Sequence, residues 1–236
     1  MLGSPVSCGH TYFRLTTPIW CRGRIEGVSV AELRARYDEY VLYADHVVGE
    51  YLDWLDDTGR LDHSIVIITA DHGESFAHNW LTHGGPELYN SVIRIPLLIH
   101  LPGQTQDIRI TQAAEEVDLE PTILDLIGGQ VPRWGEGTSL KPALEGREIP
   151  ARLLYSMNLE ADSVFEPVTH GTVAVIDNDY KYVDHLGGQE VSLYRYRTDP
   201  LEEKNLVESE PAVAARMKAL LANELKEVNS RPFVAQ

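Results

Sequence analysis

The chain has 236 residues, enough for one large domain or for a domain with an appendage. Hydrophobic residues make up 43% of it, a fraction typical of globular proteins. Lys and Arg total 20 against 36 Asp and Glu, so the formal net charge is -16. This charge argues against a nucleic-acid or anionic-membrane surface, because both need basic patches. An anionic substrate is still allowed, because a metal ion can dominate one local site.

The N-terminal stretch carries few structural signals. Residues 1–18 lack the basic and apolar regions of a signal peptide, and no apolar run in the chain approaches the length of a membrane span. Cys8 and Cys21 could form a disulfide or remain two free thiols. The sequence therefore predicts no membrane segment and leaves open whether the protein is cytoplasmic or exported.

A long helix and then a buried strand are predicted for residues 29–69. Ser29 and Glu32 have the spacing of a capping box, and apolar residues recur at helical spacing from there to Gly59. We expect this amphipathic helix to pack against a sheet. The strand is expected at residues 64–69. Its apolar run at residues 65–68 shows no polar alternation, which is typical of a strand covered on both faces in a parallel sheet.

Asp71 and His72 come directly after this strand, followed by Gly73 and Glu74. Open α/β sheets bind their ligands just beyond the carboxyl ends of the strands. A carboxylate oxygen beside a neutral imidazole nitrogen can supply half of a divalent-metal site. The alternative is an ordinary polar turn in which Asp71 caps the next helix.

A second buried strand is predicted at residues 95–101, and then a helix that begins at Asp118 and ends at Gly128. Asp118 is expected to accept the free amide hydrogens of the first helical turn. The Gly/Pro-rich connection that runs from Gly128 to Pro150 is the best candidate for a domain boundary.

Beyond this connection the pattern changes to short alternating strands, and a helix over residues 211–228 follows. The strands are expected at residues 152–157, 172–176, 180–185 and 192–196. We therefore predict an α/β fold in two parts. Residues 1–145 form the end of a mostly parallel sheet with flanking helices, and residues 146–236 form a small antiparallel sheet with one packed helix.

Between Thr69 and Gly103, the residues Asp71-His72-Gly73-Glu74 are followed by His83-Gly84, Leu88-Tyr89 and Ile93-Arg94-Ile95-Pro96-Leu97-Leu98-Ile99, with Pro102-Gly103 at the end. This ordered set resembles the sulfatase family of the alkaline-phosphatase superfamily. That family carries a strand, then Ser/Ala-Asp-His/Asn-Gly-Glu, a short loop with His-Gly or Lys, and an Ile-Arg-Val-Pro-Leu-Ile-Ile run with a Pro-Gly end. Three further stretches also resemble family patterns, namely a Val-Asp-Leu-x-Pro-Thr-Ile-Leu helix and two C-terminal motifs. Here they read Val117-Asp118-Leu119-Glu120-Pro121-Thr122-Ile123-Leu124, Asp179-Tyr180-Lys181-Tyr182-Val183 and Asp199-Pro200-Leu201-Glu202-Glu203-Lys204-Asn205-Leu206.

The resemblance also identifies what this sequence lacks. The family's nucleophile is a Cys or Ser in a Cys/Ser-x-Pro-x-Arg motif, converted to formylglycine in active sulfatases, with acidic metal ligands before it. Neither Cys8 nor Cys21 stands in that motif. We therefore expect the chain to be the C-terminal portion of a sulfatase-like protein, with the formylglycine nucleophile in a missing N-terminal half.

For the site, the resemblance implies that Asp71 and His72 bind one divalent metal, Ca²⁺ foremost, with Mn²⁺ or Zn²⁺ as alternatives. It implies that His83 is catalytic, either protonating the leaving alcohol or binding a non-bridging oxygen. Gly73 would let the backbone pass close to the metal or the ester. Glu74 would orient a ligand or a water; the alternative for Glu74 is a carboxylate at a helix start.

The implied function is metal-dependent hydrolysis of sulfate esters, with a small molecule or a glycan as substrate. The 236-residue chain alone is expected to be inactive. Two alternatives stay open: a phosphodiester or phosphonate ester hydrolase of the same superfamily, and a non-catalytic remnant or interaction module. An open reading frame upstream of Met1 that encodes the nucleophile motif would favour an enzyme.

Overall fold

The computed structural model describes residues 28–78, 81, 83, 86–132, 135–159, 166–188 and 190–231. Cys8 and Cys21 lie outside the described residues. The described residues divide into two compact units. The first comprises those within 28–68, 74–83 and 97–104, and the second comprises those within 69–73, 84–96 and 105–231. Among the described helices, none has an apolar stretch long enough to cross a lipid bilayer.

In the first unit, helix α1 (Val30–Asp57) begins where the capping signal predicts. The hydroxyl oxygen of Ser29 accepts the backbone N–H of Glu32 at 3.2 Å. A 3₁₀ turn then leads to strand β1 (Val66–Thr69), which pairs with β2 (Leu97–His100) in a two-stranded sheet. Both strands lie inside the predicted ranges.

The apolar surface of α1 departs from the predicted packing. Leu55 is buried, whereas nine large apolar residues of the helix are exposed: Val30, Tyr40, Val41, Leu42, Tyr43, Val47, Val48, Tyr51 and Trp54. A helix of 28 residues is about 42 Å long, whereas a strand of four residues spans only about 13 Å. The short strands of this unit therefore present too little surface to cover the helix.

The second unit holds the short helices α2 (Asn90–Ile93) and α4 (Lys141–Leu144), and between them α3 (Leu119–Leu126). Gly128, with a φ of +75°, ends α3 as predicted. Asp118 does not cap α3, which corrects the sequence prediction. A capping residue has extended backbone, whereas Asp118 is helical, with a φ of -75° and a ψ of -16°.

The buried carboxylate of Asp118 instead fixes neighbouring loops. It accepts the backbone N–H groups of Glu115 and Thr138, each at 2.8 Å, and it pairs with the guanidinium of Arg152. Arg152 also pairs with Glu115 at 3.0 Å. Burial raises the pKa of Glu115, although the N–H of Tyr155 and the charge of Arg152 oppose that shift. This network joins the start of α3 to the residues before the antiparallel sheet.

The four predicted C-terminal strands form one antiparallel sheet in the order β3-β4-β5-β6. The strands are β3 (Leu154–Asn158), β4 (Gly171–Asp177), β5 (Tyr180–Leu186) and β6 (Val191–Tyr194). Each bound falls within two residues of the prediction. The two predicted turns contain Asn178 and Gly187, whose φ angles are +55° and +82°.

Both faces of this sheet are covered, because successive side chains of a strand point to opposite sides. On one face, Tyr182 and Leu193 pack with Met217 and Leu221 of helix α5 (Pro211–Ser230). On the other face, Ala174 and Val183 pack with Leu88 and Ile93, in and beside α2. Residues 88–93 therefore share a core with the C-terminal sheet. The division between residues 145 and 146 stays a prediction.

Candidate active site

Asp71 and His72 lie in the loop that follows β1. Asp71 Oδ1 accepts the backbone N–H of His72 at 3.0 Å, which holds its carboxylate beside the imidazole. His72 Nδ1 lies 2.9 Å from the carbonyl oxygen of Gly73. Because a carbonyl oxygen only accepts, Nδ1 carries the hydrogen of this bond, and Nε2 then has the lone pair that a metal ligand needs.

The donor atoms of this pair fit one divalent cation. His72 Nε2 and Asp71 Oδ1 are 3.7 Å apart, close enough for both to reach the same ion, and the two side chains are 41% and 83% exposed. An imidazole nitrogen with a carboxylate oxygen is compatible with Ca²⁺, Mn²⁺ or Zn²⁺ once further ligands join. Within the described residues, no group of three or more His, Cys, Asp or Glu side chains could hold a metal.

Gly73 is required where it stands because the backbone of another segment touches it. Its N–H donates to the carbonyl of Val92 at 2.7 Å. A Cβ built on Gly73 would lie 2.1 Å from the carbonyl oxygen of Ser91, closer than any real contact allows. In this structure the predicted close approach is therefore to the chain's own backbone at Ser91.

Glu74 and His83 form a pair within the first unit. His83 Nδ1 lies 2.7 Å from Glu74 Oε2. The side chain of Glu74 is only 4% exposed, whereas that of His83 is 35% exposed. A buried carboxylate that holds one ring nitrogen fixes the orientation of the imidazole. This contact was not predicted, because the resemblance implies that Glu74 orients a metal ligand or a water.

Two other histidines contact groups of their own helix or sheet. His46, next to Asp45 on α1, lies 3.6 Å from Glu50, and both side chains are about two-thirds exposed. His185 Nδ1 lies 3.0 Å from the hydroxyl of Thr172 on the neighbouring strand.

Sequence reasoning missed a buried ion pair in the second unit. Lys181 on β5 contacts Glu202, and the side chains of both are fully buried. One signal was available, because Lys181 and Val183 must share a face of β5, and a lysine on an otherwise apolar face implies a buried partner. The sequence does not identify that partner, because Glu202 lies in a separate motif further along the chain.

Two family models match this chain, one over its N-terminal half and one over its C-terminal part. A model described as "Sulfatase" matches residues 8–129, and one described as "N-sulphoglucosamine sulphohydrolase, C-terminal" matches residues 78–231. The chain belongs to the sulfatase family. The expectation from the motifs at Asp71 and Glu202 is thus confirmed at the level of the family.

Individual relatives agree with this membership. The multifunctional alkaline phosphatase superfamily protein PehA of Trinickia caryophylli is 32% identical over 203 residues, which cover 80% of this chain and 39% of PehA. The chain spans between 30% and 40% of the length of the curated relatives it matches.

Solved structures support the predicted fold class. The phosphonate monoester hydrolase SpPMH of Silicibacter pomeroyi gives a TM-score of 0.68 at 26% identity, with 84% of this chain and 41% of that chain covered. A protein solved in complex with its substrate D-glucosamine-2-N,6-O-disulfate gives a TM-score of 0.64 at 27% identity, with coverages of 80% and 39%. The α/β fold of the alkaline-phosphatase type is therefore confirmed.

Proposed function

We propose that this chain carries two metal ligands of a metal-dependent sulfatase and the residue that protonates the leaving alcohol. The observation that carries the proposal is the Asp71–His72 pair. Its oxygen and nitrogen donors are 3.7 Å apart directly after β1, inside the motif that matches the family. Ligands in α/β folds bind at such strand ends.

Asp71 and His72 would hold one divalent cation, with Ca²⁺ as the first candidate and Mn²⁺ and Zn²⁺ as alternatives. When bound, such a cation supplies Lewis-acid stabilisation of charge on an ester oxygen. The hydrogen bond from His72 Nδ1 to the carbonyl of Gly73 keeps the imidazole in the tautomer that ligates through Nε2. The N–H of Gly73, bonded to Val92, fixes the backbone just after both ligands.

His83 would deliver a proton to the oxygen of the leaving alcohol. Good catalysis by a general acid requires a defined direction of proton transfer. Glu74 supplies that direction, because its buried carboxylate holds Nδ1 and thereby orients the ring. We therefore assign Glu74 to positioning His83.

For the substrate we propose a sulfate ester of a small molecule or a sugar. The family match and the similarity to a protein solved with D-glucosamine-2-N,6-O-disulfate support this class. The similarity to a phosphonate monoester hydrolase keeps a second class, phosphonate esters, within the test.

The substrate class is tested with an extended chain. In this chain, a segment that carries the family's Cys/Ser-x-Pro-x-Arg motif precedes Met1. We expect this extended chain to hydrolyse an aryl sulfate faster than the matching phenyl phosphonate, measured as kcat/KM at equal pH. The 236-residue chain alone is expected to show no turnover, because neither Cys8 nor Cys21 stands in the motif that carries the family's nucleophile. Faster hydrolysis of the phosphonate would favour the second class, and hydrolysis of neither ester would favour a non-catalytic remnant.

Glu74→Ala in the extended chain is expected to lower kcat about tenfold to a hundredfold with little change in KM. The physical reason is that His83 loses the acceptor that orients its ring while ester binding is retained. Glu74→Gln should lower kcat less, because the amide oxygen of the glutamine still accepts the hydrogen of His83 Nδ1. Steady-state kinetics on an aryl sulfate with a poor leaving group measure both variants.

Glu50→Gln is the matched control for this prediction. Glu50 also faces a histidine, His46 at 3.6 Å, but both side chains are exposed on α1. This variant should leave kcat unchanged. Equal losses in Glu74→Gln and Glu50→Gln, or no loss in Glu74→Ala, would remove the positioning role from Glu74.

A further inference from the structure

A buried polar cluster of Lys181, Glu202 and Asn90 lies under the C-terminal sheet; we call it the lysine cluster. Lys181 Nζ donates to the carbonyl of Leu88 at 2.7 Å and contacts Glu202 Oε1. Glu202 Oε2 accepts the backbone N–H of Asn90 at 2.7 Å. The side-chain nitrogen of Asn90, Nδ2, donates to the carbonyl oxygens of Tyr196 and Pro200, each at 3.4 Å.

Burying the lysine cluster in a core costs free energy. Both charged side chains are fully buried, and burial lowers the pKa of Lys181 while the charge of Glu202 opposes that shift. Glu202 also has a φ of +56°, a backbone conformation unfavourable for a residue with a side chain. Apolar residues of similar volume often stabilise a protein as well as a buried ion pair does. What apolar residues cannot do is bind the backbone groups of Leu88 and Asn90.

Those backbone groups belong to the segment that touches Gly73. Asn90 begins α2, and the next two residues present their carbonyls to Gly73. Ser91 O excludes any side chain at Gly73, and Val92 O accepts its N–H at 2.7 Å. A continuous set of contacts thus runs from β5 through residues 88–92 to the residue after His72. All of these residues lie in the second unit.

We propose that the lysine cluster is a positioning device for the Asp71–His72 pair. The antiparallel sheet sets the position of residues 88–92 through Lys181 and Glu202, and residues 88–92 set the backbone of Gly73. Lys181, Glu202 and Asn90 are therefore positioning residues for a cation site that they do not touch. This inference rests on the proposed function, in which Asp71 and His72 bind the cation.

Two double variants separate positioning from stability. The Met/Leu variant, Lys181→Met with Glu202→Leu, removes both charges and the acceptor of the Asn90 N–H. The Met/Gln variant, Lys181→Met with Glu202→Gln, removes both charges but keeps a carbonyl acceptor for that N–H. Neither leaves an unpaired buried charge, so both should retain more of the wild-type Tm than the single variant Lys181→Met.

The first measurement is hydrogen–deuterium exchange of the Gly73 amide in the 236-residue chain. We expect the Met/Leu variant to exchange about tenfold faster there than wild type. The Met/Gln variant should exchange at an intermediate rate, because it keeps an acceptor for the Asn90 N–H but has lost the donor to the Leu88 carbonyl. The second measurement is titration calorimetry of the extended chain with Ca²⁺ and with Mn²⁺. There the Met/Leu variant should raise the Kd for the cation about tenfold. This is the lower end of the loss in metal affinity that is typical when residues supporting the metal ligands are mutated.

Leu221→Ala is the control for a loss of stability alone. Leu221 is 2% exposed on the α5 side of the sheet, away from the lysine cluster. This variant should lower Tm without changing the Kd or the relative protection of Gly73. If it changed them as much as the Met/Leu variant does, the lysine cluster would be a purely structural ion pair.

Asp71→Ala in the same titration keeps the two proposals distinguishable. Loss of binding in Asp71→Ala together with wild-type binding and wild-type Gly73 exchange in both double variants would overturn the positioning role alone. Unchanged binding in Asp71→Ala would overturn the proposed cation site and the positioning role with it.

Discussion

Asp71→Ala in the extended chain is expected to abolish stoichiometric binding of Ca²⁺ or Mn²⁺ and to lower sulfate-ester turnover on the order of a thousandfold. In the proposed site the carboxylate supplies one of the two donor atoms of the Asp71–His72 pair, 3.7 Å from His72 Nε2. A Lewis acid contributes several kcal/mol to the stabilisation of the transition state, and each 1.36 kcal/mol corresponds to a factor of ten in rate. Titration calorimetry and steady-state kinetics measure the two effects.

The chain offers its own control for this substitution, because Asp-His dipeptides also occur elsewhere in the sequence, one of them at Asp45-His46. That dipeptide lies on α1, where His46 is exposed and faces Glu50. Asp45→Ala should bind the cation as wild type does. The unextended 236-residue chain should bind it weakly, because the described residues contain no group of three candidate ligands. Tight binding by the extended Asp71→Ala variant would contradict the assignment.

His83→Ala is expected to slow the hydrolysis of aryl sulfates according to their leaving groups. An alkoxide of high basicity needs protonation as it departs, so substrates with poor leaving groups should lose about a hundredfold to ten-thousandfold in kcat. Substrates with good leaving groups should lose far less, because their anions depart without a proton. A plot of log kcat against the leaving-group pKa for wild type and variant measures the difference in slope.

His78→Ala is the matched control for this plot, because His78 belongs to the same short loop region and carries no assigned role. It should leave the slope unchanged. Equal slowing of all substrates in His83→Ala would mean that His83 binds a non-bridging oxygen. If no substrate were slowed, His83 would have no role in catalysis, and its contact with Glu74 would be structural only.

The sequence by itself determined the elements and their order, because those signals are local. The hydroxyl of Ser29 begins α1, Gly128 ends α3, and alternating residues locate the four C-terminal strands. Each of these depends on contacts within a few positions of the chain, or on the two-residue period of a strand. The motif around Asp71 was readable for the same reason, since donors and strand stand side by side in the sequence.

The tertiary structure alone decided which polar groups meet. Asp118 has the sequence position of a helix cap, yet its carboxylate binds Thr138 and Arg152, 20 and 34 positions away. Glu202 accepts the N–H of Asn90 across 112 positions. No local pattern encodes such partners. They are selected when burial removes water, because a buried donor or acceptor left without a partner costs about 1–3 kcal/mol.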